Sequence, residues 1–333
     1  MKSRKLGNIG TEVSALGYGA MSLIDFYGPI NTESSHAILK RCLDLGVDHL
    51  DTSNVYGGGV SEERIGSFLA AQGTARNDLF KIATKGGINR GEDGSMFFDN
   101  SAEHLTQELD KSLKRLSVDQ VELYYVHRRD QSIPIEEVTE TLARFVKAGK
   151  IKQFGYSEIA PSSLQRAANI HPVGAVQSEY SLSTRSPELG LVQRCAELNT
   201  TLVAFSPVGR SLLTDTPHSF EKAQTIAFLQ QNPRFLQPNL DANIKITDGL
   251  RALAADMGCA TASLAIAWLL NQGDHIIPIP GTRSIEHLNQ LAAGVDLTLR
   301  ESDLAEIERR LPIGWAHGDR YTAGQWGGPE KYC

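Results

Sequence analysis

The sequence lacks several features that mark membrane, secreted and nucleic-acid-binding proteins. It has no run of about 18 apolar residues, so no membrane-spanning segment is predicted. The first residues are charged and lack the apolar stretch of a secretory signal. The formal net charge of −6, from 33 basic and 39 acidic residues, argues against a general nucleic-acid binder. We therefore expect a cytoplasmic protein that binds neither membranes nor nucleic acid.

Cysteine and histidine are also placed too sparsely to form a metal site. The 4 cysteines, Cys42, Cys195, Cys259 and Cys333, include no C-x-x-C pair, which predicts reduced thiols and excludes a disulfide framework. The 9 histidines include no H-x-H or H-E-x-x-H spacing. The sequence predicts no metal, and it disfavours a barrel hydrolase, which needs a metal cluster or paired catalytic carboxylates.

What the chain does have is a regular alternation of strand-like and helix-like segments. Its 333 residues are 41% hydrophobic, enough for a large core. A short hairpin, residues 4–6 against 12–13, is predicted first. Strands are predicted near 14–18, 47–51, 80–84, 121–126, 151–156, 174–178, 201–205 and 275–279, and helices over 32–45, 101–116, 135–148, 161–168, 187–198, 262–270 and 285–293.

This alternation predicts an α/β fold, a (β/α)8 TIM barrel that forms a single domain over residues 1–333. Barrels run as single units of about 250 residues or more, although the length also permits two ordinary domains. The other architecture considered is a doubly wound open sheet. The absence of a G-x-G-x-x-G turn after the first strand weakens it.

Two segments interrupt the repeat. Residues 208–244, after the seventh strand, lack clear periodicity and contain Pro217, Pro233 and Pro238. The tail, residues 312–333, is rich in glycine and aromatic residues. Long loops in compact domains usually serve function, so both segments are expected to border the mouth of the barrel.

Four chemically active side chains lie at or just beyond the ends of strands: Asp51, Tyr56, Lys85 and His127. In a parallel barrel the carboxyl ends of the strands meet at one face, so these side chains are expected to converge. A phenol is a poor acid at neutral pH, and a neighbouring ammonium favours its ionised form. We expect Lys85 to lower the pKa of Tyr56, Asp51 to hold Lys85 charged, and neutral His127 to orient a substrate oxygen.

Taken singly, each of these residues has a structural explanation, as a cap, a packing residue or a core histidine. The segments around them, however, resemble the aldo-keto reductase superfamily in order and spacing. The resemblance covers about residues 4–311, and the His127-Arg128-Arg129-Asp130 segment is similar to the branch near the potassium-channel β-subunits. It rests on Gly46 to Thr52, Asp51 to Tyr56, Thr84-Lys85, Tyr125 to His127, Gly149 to Ser157, Val176 to Ser181, Ala204 to Gly209 and Ile279 to Arg283.

This resemblance implies hydride transfer between NADP(H) and an aldehyde or ketone. Tyr56 would act as general acid, supported by Lys85 and Asp51, and His127 would orient the carbonyl. The resemblance also implies a set of cofactor-binding residues: Gly19, Met21, Asp51, Ser157, Glu158, Gln177, Phe205, Ser206, Pro207, Val208, Gly209, Arg210, Gly281, Thr282, Arg283, His287 and Gln290.

Within that set, Ser157, Glu158 and Gln177 would contact the nicotinamide carboxamide and Phe205 would stack on its ring. Residues 206–210 would lie at the pyrophosphate. Arg283 would face the 2′-phosphate at the start of a helix and give a preference for NADPH over NADH. Two positions depart from the family pattern. Glu158 replaces a common Asn, and Gln290-Leu291 replaces the usual Glu-Asn pair at the adenine.

The sequence also permits a second function. A barrel of this family could bind NADP(H) and dock on a protein partner as a regulatory subunit with little or no catalysis. For the enzyme, the substrate is a small carbonyl or alcohol whose identity the sequence does not give, and the oligomeric state is open. The expected substrate walls are Met21, Phe26, Tyr27, Arg128, Tyr321 and Trp326.

Overall fold

The computed structural model of the protein describes residues 1–73, 76–91 and 95–332. Cys42, Cys195 and Cys259 are free thiols, whereas Cys333 lies outside the described residues. Across the described ranges, no single helix is long and apolar enough to cross a membrane. The bent pair Asn239–Asp256 and Thr261–Leu270 meets the length and composition criteria only when its helices, 91° apart, are taken together.

The central feature is a parallel sheet of eight strands that curls into a barrel. Two further pairs of strands form small antiparallel hairpins, β1 with β2 and β6 with β7. The strands are β1 (Ser3–Leu6), β2 (Thr11–Ser14), β3 (Tyr18–Gly19), β4 (His49–Asp51), β5 (Lys81–Gly86), β6 (Ile88–Arg90), β7 (Met96–Phe98), β8 (Val121–Val126), β9 (Ile151–Ser157), β10 (Ala175–Glu179), β11 (Thr201–Phe205) and β12 (Ile276–Pro278).

The parallel sheet runs in the order β3-β4-β5-β8-β9-β10-β11-β12. Two backbone hydrogen bonds close it, because the N–H groups of Gly17 and Gly19 donate to the carbonyls of Pro278 and Pro280, each at 2.9 Å. The predicted (β/α)8 barrel is therefore confirmed, and so is the amino-terminal hairpin.

Helices connect the strands on the outside of the barrel. Several begin at caps that the sequence signals: Asn31 accepts from Ser34 N, and Ser101 accepts from His104 N. The helices are α1 (Thr32–Leu45), α2 (Val60–Ala70), α3 (Arg76–Leu79), α4 (Ala102–Leu116), α5 (Ile135–Lys147), α6 (Pro161–Ala168), α7 (Leu191–Glu197), α8 (Phe220–Ala223), α9 (Asn239–Asp256), α10 (Thr261–Leu270), α11 (Ile285–Ala293) and α12 (Glu301–Arg310).

The interior of the barrel explains why the polar strand ends converge. Side chains alternate between the two faces of a strand, so Ala83 and Lys85 share the inward face, as do Leu123 and Tyr125. The apolar members of this face pack with Leu6 and Val13 of the hairpin, which closes the amino-terminal end. The inward face therefore runs from apolar filling at the bottom to polar groups at the carboxyl end.

The segment predicted as a long loop after the seventh strand, 208–244, is more ordered than expected. It carries α8 and short 3-10 turns, and its last residues belong to α9. Its apolar side chains form a small core of their own, made of Leu212, Ala223, Ile226, Leu229, Phe235 and Leu240. The tail borders the mouth of the barrel, as predicted, because Tyr321, Gly324, Gln325, Gly327 and Gly328 line the cleft there. Trp326, expected as a substrate wall, is not in this lining; its ring packs on Tyr321 and its indole N–H donates to Asp319.

Candidate active site

The four residues at the strand ends meet at the carboxyl end of the barrel. Asp51 ends β4, Lys85 lies near the end of β5, and His127 directly follows β8. Tyr56 opens a single 3-10 turn, Tyr56–Gly59, that leads into α2. The parallel register places Asp51 beside Ala83 and Lys85 beside Tyr125, so neighbouring strands deliver these side chains to one place.

A buried ion pair forms the floor of this site. Lys85 Nζ donates to Asp51 Oδ1, to the carbonyl of Thr52 at 2.7 Å and to the hydroxyl of Tyr56 at 3.3 Å. Lys85 is 0% exposed and Asp51 is 1% exposed. The second oxygen of Asp51 accepts from Gln177 Nε2 at 2.7 Å. All three ammonium hydrogens therefore have acceptors, and one of these acceptors is the phenol.

Two opposing effects set the pKa of Tyr56. Burial raises the pKa of Tyr56 above its ordinary value, and this outweighs the lowering that Lys85 exerts. The expected effect of Lys85 has the predicted direction, but burial decides the sum. Burial also opposes the ammonium of Lys85, but Asp51 and then Tyr56 outweigh it, so the pKa of Lys85 is raised. At neutral pH the site thus holds a neutral phenol beside a charged ammonium.

His127 lies beside the phenol, with its ring centroid 5.9 Å from that of Tyr56 and the rings 77° apart. Its Nδ1 lies 3.1 Å from the hydroxyl of Ser53. Burial, followed by the charges of Arg128 and Lys85, holds the pKa of His127 well below its ordinary value. The imidazole is therefore neutral at physiological pH, in agreement with the sequence-based prediction.

A cleft of about 1590 Å³ opens above these residues. It is larger than the roughly 300–1,000 Å³ of a typical small-molecule pocket, so it has room for two molecules or one long one. The structure brings together most of the predicted binding residues as its lining: Gly19, Met21, Asp51, Ser157, Gln177, Phe205, Ser206, Pro207, Val208, Arg210, Gly281, Thr282, Arg283, His287 and Gln290.

Two predicted binding residues, Glu158 and Gly209, are not part of this lining as far as the described residues define it. Glu158 is 4% exposed, and both of its carboxylate oxygens pair with the guanidinium of Arg320 in the tail. Its φ of +57° lies in the left-handed region, which Asn tolerates more readily than Glu. The structure therefore pairs Glu158 with the tail and does not place it in the lining of the cleft.

Arg210 lines the cleft but is already engaged. Its guanidinium donates to both oxygens of Glu179, at 3.0 and 2.8 Å, and lies over the rings of Phe228 and Tyr321. Burial disfavours the carboxylate of Glu179, yet Arg210 and Arg320 outweigh it and lower its pKa to about 2. This buried cluster connects a barrel strand, the segment after β11 and the tail.

The other end of the cleft suits an anion. Ser284 caps α11 by accepting from His287 N, and Gly281, Thr282 and Arg283 precede that cap and line the cleft. The guanidinium of Arg283 donates to the carbonyls of Tyr27 and Pro29, at 2.7 and 3.2 Å, and forms no ion pair with any described carboxylate. Its positive charge is therefore available to a ligand.

Parts of the cleft wall were not predicted from the sequence. The β6–β7 hairpin contributes Met96 and Phe98, and the turn after Tyr56 contributes Gly57 and Gly58. The hairpin did have a signal, because two short strands flank Gly-Glu-Asp-Gly-Ser at 91–95. Further lining residues that the reading did not single out are Ile24, Asn54, Val55, Ile88, Asn89, His218 and Phe228.

In the part of the chain that the structure describes, no group of three or more His, Cys, Asp or Glu side chains is placed to hold a metal ion. The polar groups at the strand ends are an ion pair, a phenol and an imidazole, and these suit the movement of a proton.

Comparison with known proteins gives consistent matches over nearly the whole chain. The profile of the Aldo/keto reductase family matches residues 15–311. The chain is 36% identical to a Schizosaccharomyces pombe protein named "Aldo-keto reductase yakc [NADP(+)]". The match covers 97% of this chain and 95% of that protein. It is 38% identical to a probable aldo-keto reductase 1 of Glycine max, over 96% and 92%.

Among solved structures, a glycerol dehydrogenase of Gluconobacter oxydans superposes with a TM-score of 0.81 at 24% identity. The match covers 93% of this chain and 96% of that one. This similarity establishes the shared barrel fold and no more.

Proposed function

The chain belongs to the aldo/keto reductase family, and from this premise we propose that it is an NADP(H)-dependent oxidoreductase that interconverts an aldehyde or ketone and its alcohol. The observation that carries the proposal is the contact of the Tyr56 hydroxyl with Lys85 Nζ, at 3.3 Å, on the floor of the cleft. This contact joins a proton donor to a charge that stabilises its conjugate base.

Two parts of the cleft have residues suited to binding the cofactor: the amino terminus of α11 and the strand ends at Ser157, Gln177 and Phe205. A Cβ atom on Gly19 would lie 2.7 Å from the carbonyl oxygen of Ile279, and one on Gly281 would lie 2.5 Å from that of Gly19. These glycines let the first and last strands of the parallel sheet, β3 and β12, approach closely beside the amino terminus of α11. Arg283 and the free N–H groups at that terminus would hold the 2′-phosphate, while Ser157, Gln177 and Phe205 would hold the nicotinamide.

When bound, NADPH supplies the hydride that the carbonyl carbon accepts. Tyr56 gives its phenolic proton to the carbonyl oxygen. The phenolate that remains is stabilised by the ammonium of Lys85, which Asp51 keeps charged. The buried phenol is protonated before the reaction, so the raised pKa of Tyr56 keeps the proton available, and Lys85 acts at the moment when the charge develops.

His127 assists through its neutral ring. In the tautomer with the proton on Nε2, Nδ1 accepts from the hydroxyl of Ser53 and Nε2–H is free to donate to the substrate oxygen. Two donors, Tyr56 and His127, then converge on one oxygen, and this fixes the orientation of the carbonyl.

Replacement of Tyr56 tests this proposal. Tyr56→Phe should reduce the rate of carbonyl reduction by about 10²–10⁴-fold, the usual contribution of a general acid, and leave NADPH binding nearly unchanged. The assay follows NADPH absorbance with 4-nitrobenzaldehyde, and cofactor fluorescence gives the binding constant.

A matched control is Tyr156→Phe. Tyr156 is also buried, but its hydroxyl lies 2.7 Å from that of Thr139 on α5, outside the barrel interior. This variant should keep its turnover. Near-wild-type turnover of Tyr56→Phe would remove Tyr56 from the mechanism. NADPH binding without turnover of any carbonyl in a broad panel would favour the regulatory-subunit function instead.

A further inference from the structure

We propose that Arg128 selects carbonyl substrates that also carry a carboxylate group, a selectivity that rests on the proposed carbonyl reduction. Arg128 directly follows His127 and lines the cleft beside the candidate proton donor.

The guanidinium is held in place by two hydrogen bonds and by the tail. Nη1 donates to the carbonyl of His127 at 2.6 Å and to the hydroxyl of Ser157 at 2.9 Å, while the carbonyl of Arg128 accepts from Asn100 Nδ2 at 3.0 Å. The tail packs against it, because a Cβ atom on Gly328 would lie 3.2 Å from its Nε. The group is therefore positioned without being enclosed.

Two donors of the guanidinium have no acceptor among the described residues. Nε and Nη2 make no hydrogen bond there, although the tail at Gly328 lies beside Nε, and the side chain is half-buried. A planar guanidinium with two adjacent free donors matches the two oxygens of a carboxylate.

Three other cations in the lining of the cleft are already paired. Lys111 contacts Glu108 at 2.8 Å, Arg115 contacts Glu62 at 2.7 Å, and Arg210 contacts Glu179 at 2.8 Å. Arg128 forms no ion pair with any carboxylate in the described residues. It is a partly desolvated positive charge without a counterion among the described residues, and a ligand is left to supply one.

Three carboxylates in the lining of the cleft are already bound by other residues. Asp51 is bound by Lys85 and Gln177, Glu108 by Lys111 and Asn54, and Asp215 by Thr261. The neighbouring wall is aromatic, with Phe98 and Tyr321 in the lining. A fitting substrate has a reacting carbonyl at Tyr56, an apolar body against these rings, and a carboxylate at Arg128.

A pair of matched substrates tests the proposal: 4-carboxybenzaldehyde, which is an anion, and methyl 4-formylbenzoate, its neutral ester. The quantity measured is the ratio of kcat/KM for the acid to kcat/KM for the ester, with NADPH saturating. Arg128→Met should lower this ratio at least about tenfold, as expected for loss of a charge-assisted hydrogen bond. Arg128→Lys keeps the charge without the fork and should give an intermediate ratio. Circular dichroism and NADPH binding confirm that both variants are folded.

Each outcome decides between two roles for Arg128. If it acted only by positioning Ser157, and through it the cofactor, both substrates would lose the same factor and the ratio would stay constant. A constant ratio in both variants overturns the proposal. Turnover of the ester by the wild-type protein reports on carbonyl reduction independently, so absence of that turnover would reject the proposed function and not the selectivity alone.

Discussion

The pair formed by Lys85 and Asp51 allows charge to be separated from structure at the candidate site. Three variants are compared with the wild type: Lys85→Met, Asp51→Asn and the double variant. Methionine keeps much of the volume of lysine and removes the ammonium, and asparagine keeps the shape of aspartate and removes the carboxylate. The double variant restores electroneutrality to the pair without restoring either charge.

The expected effects on stability follow from burial. Both side chains are almost fully buried, and removing one member leaves the other as an uncompensated charge. Breaking such a pair costs about 3–5 kcal/mol of unfolding free energy, whereas replacing both members is often nearly neutral. Each single variant should therefore be destabilised, and the double variant should regain most of the loss.

Activity should follow a different order. Lys85→Met should lose about 10²–10⁴-fold, because the ammonium that stabilises the phenolate of Tyr56 is gone. Asp51→Asn should lose less, since Lys85 remains. In that variant burial, the largest influence on Lys85, is no longer opposed by the carboxylate of Asp51, so the pKa of Lys85 falls. The ammonium is then kept at low pH and lost as pH rises, so the deficit should grow with pH.

The assays are urea unfolding for stability and single-turnover NADPH oxidation with a reactive aldehyde for the chemical step. The double variant gives the decisive result, because it should be stable and still inactive. Recovery of its activity in parallel with its stability would show that the ion pair is only structural. A larger loss for Asp51→Asn than for Lys85→Met would contradict the proposed order.

Three further expectations concern the cofactor and pH. Arg283→Ala should raise the Michaelis constant for NADPH at least about tenfold, since a hydrogen bond to a charged group contributes about 1.5–3 kcal/mol. The constant for NADH should stay nearly unchanged, and equal weakening of both cofactors would show that Arg283 does not read the 2′-phosphate. Residues 208–244 begin within the stretch 206–210 that is expected at the pyrophosphate, and we expect this segment to fold over the bound cofactor, so saturating NADPH should protect it from limited proteolysis. Equal cleavage with and without cofactor would reject such closure. The rate of reduction should show no inflection from His127 near pH 6.5, about its ordinary pKa, since its pKa in the fold is well below that value. An inflection there that His127→Gln abolishes would refute this assignment.

The sequence alone was sufficient to predict the barrel fold and the convergence of the polar side chains at its mouth. Short apolar runs that alternate with helical segments predict parallel strands, and parallel strands bring their carboxyl ends to one face. Asp51, Lys85 and His127 each end such a run, so their meeting followed from topology. Local signals also placed helix ends well, as at Asn31 and Ser101, because a cap needs only residues a few positions away.

Two helices whose buried faces include polar residues, α2 and α9, were not predicted from the sequence. In α9 the buried face includes Asn243 and Thr247, and the Asn243 amide binds the backbone of Arg234 and His317. In α2 the buried face includes Glu62, which accepts from Thr84 and Arg115. Periodicity searches detect apolar stripes, and these faces are stabilised by hydrogen bonds to distant segments, so the stripe is interrupted.

The electrostatics of the site was decided only by the tertiary structure. Burial raised the pKa of Tyr56 against the effect of Lys85, and burial depends on everything packed around the ring. Glu158 is held by Arg320, 162 residues further along the chain, and Asp51 accepts from Gln177, 126 residues away. Pattern and spacing determine which residues reach the mouth of the barrel. Which of them remain free to meet a ligand depends on long-range pairing and desolvation, and these arise only when the whole chain is folded.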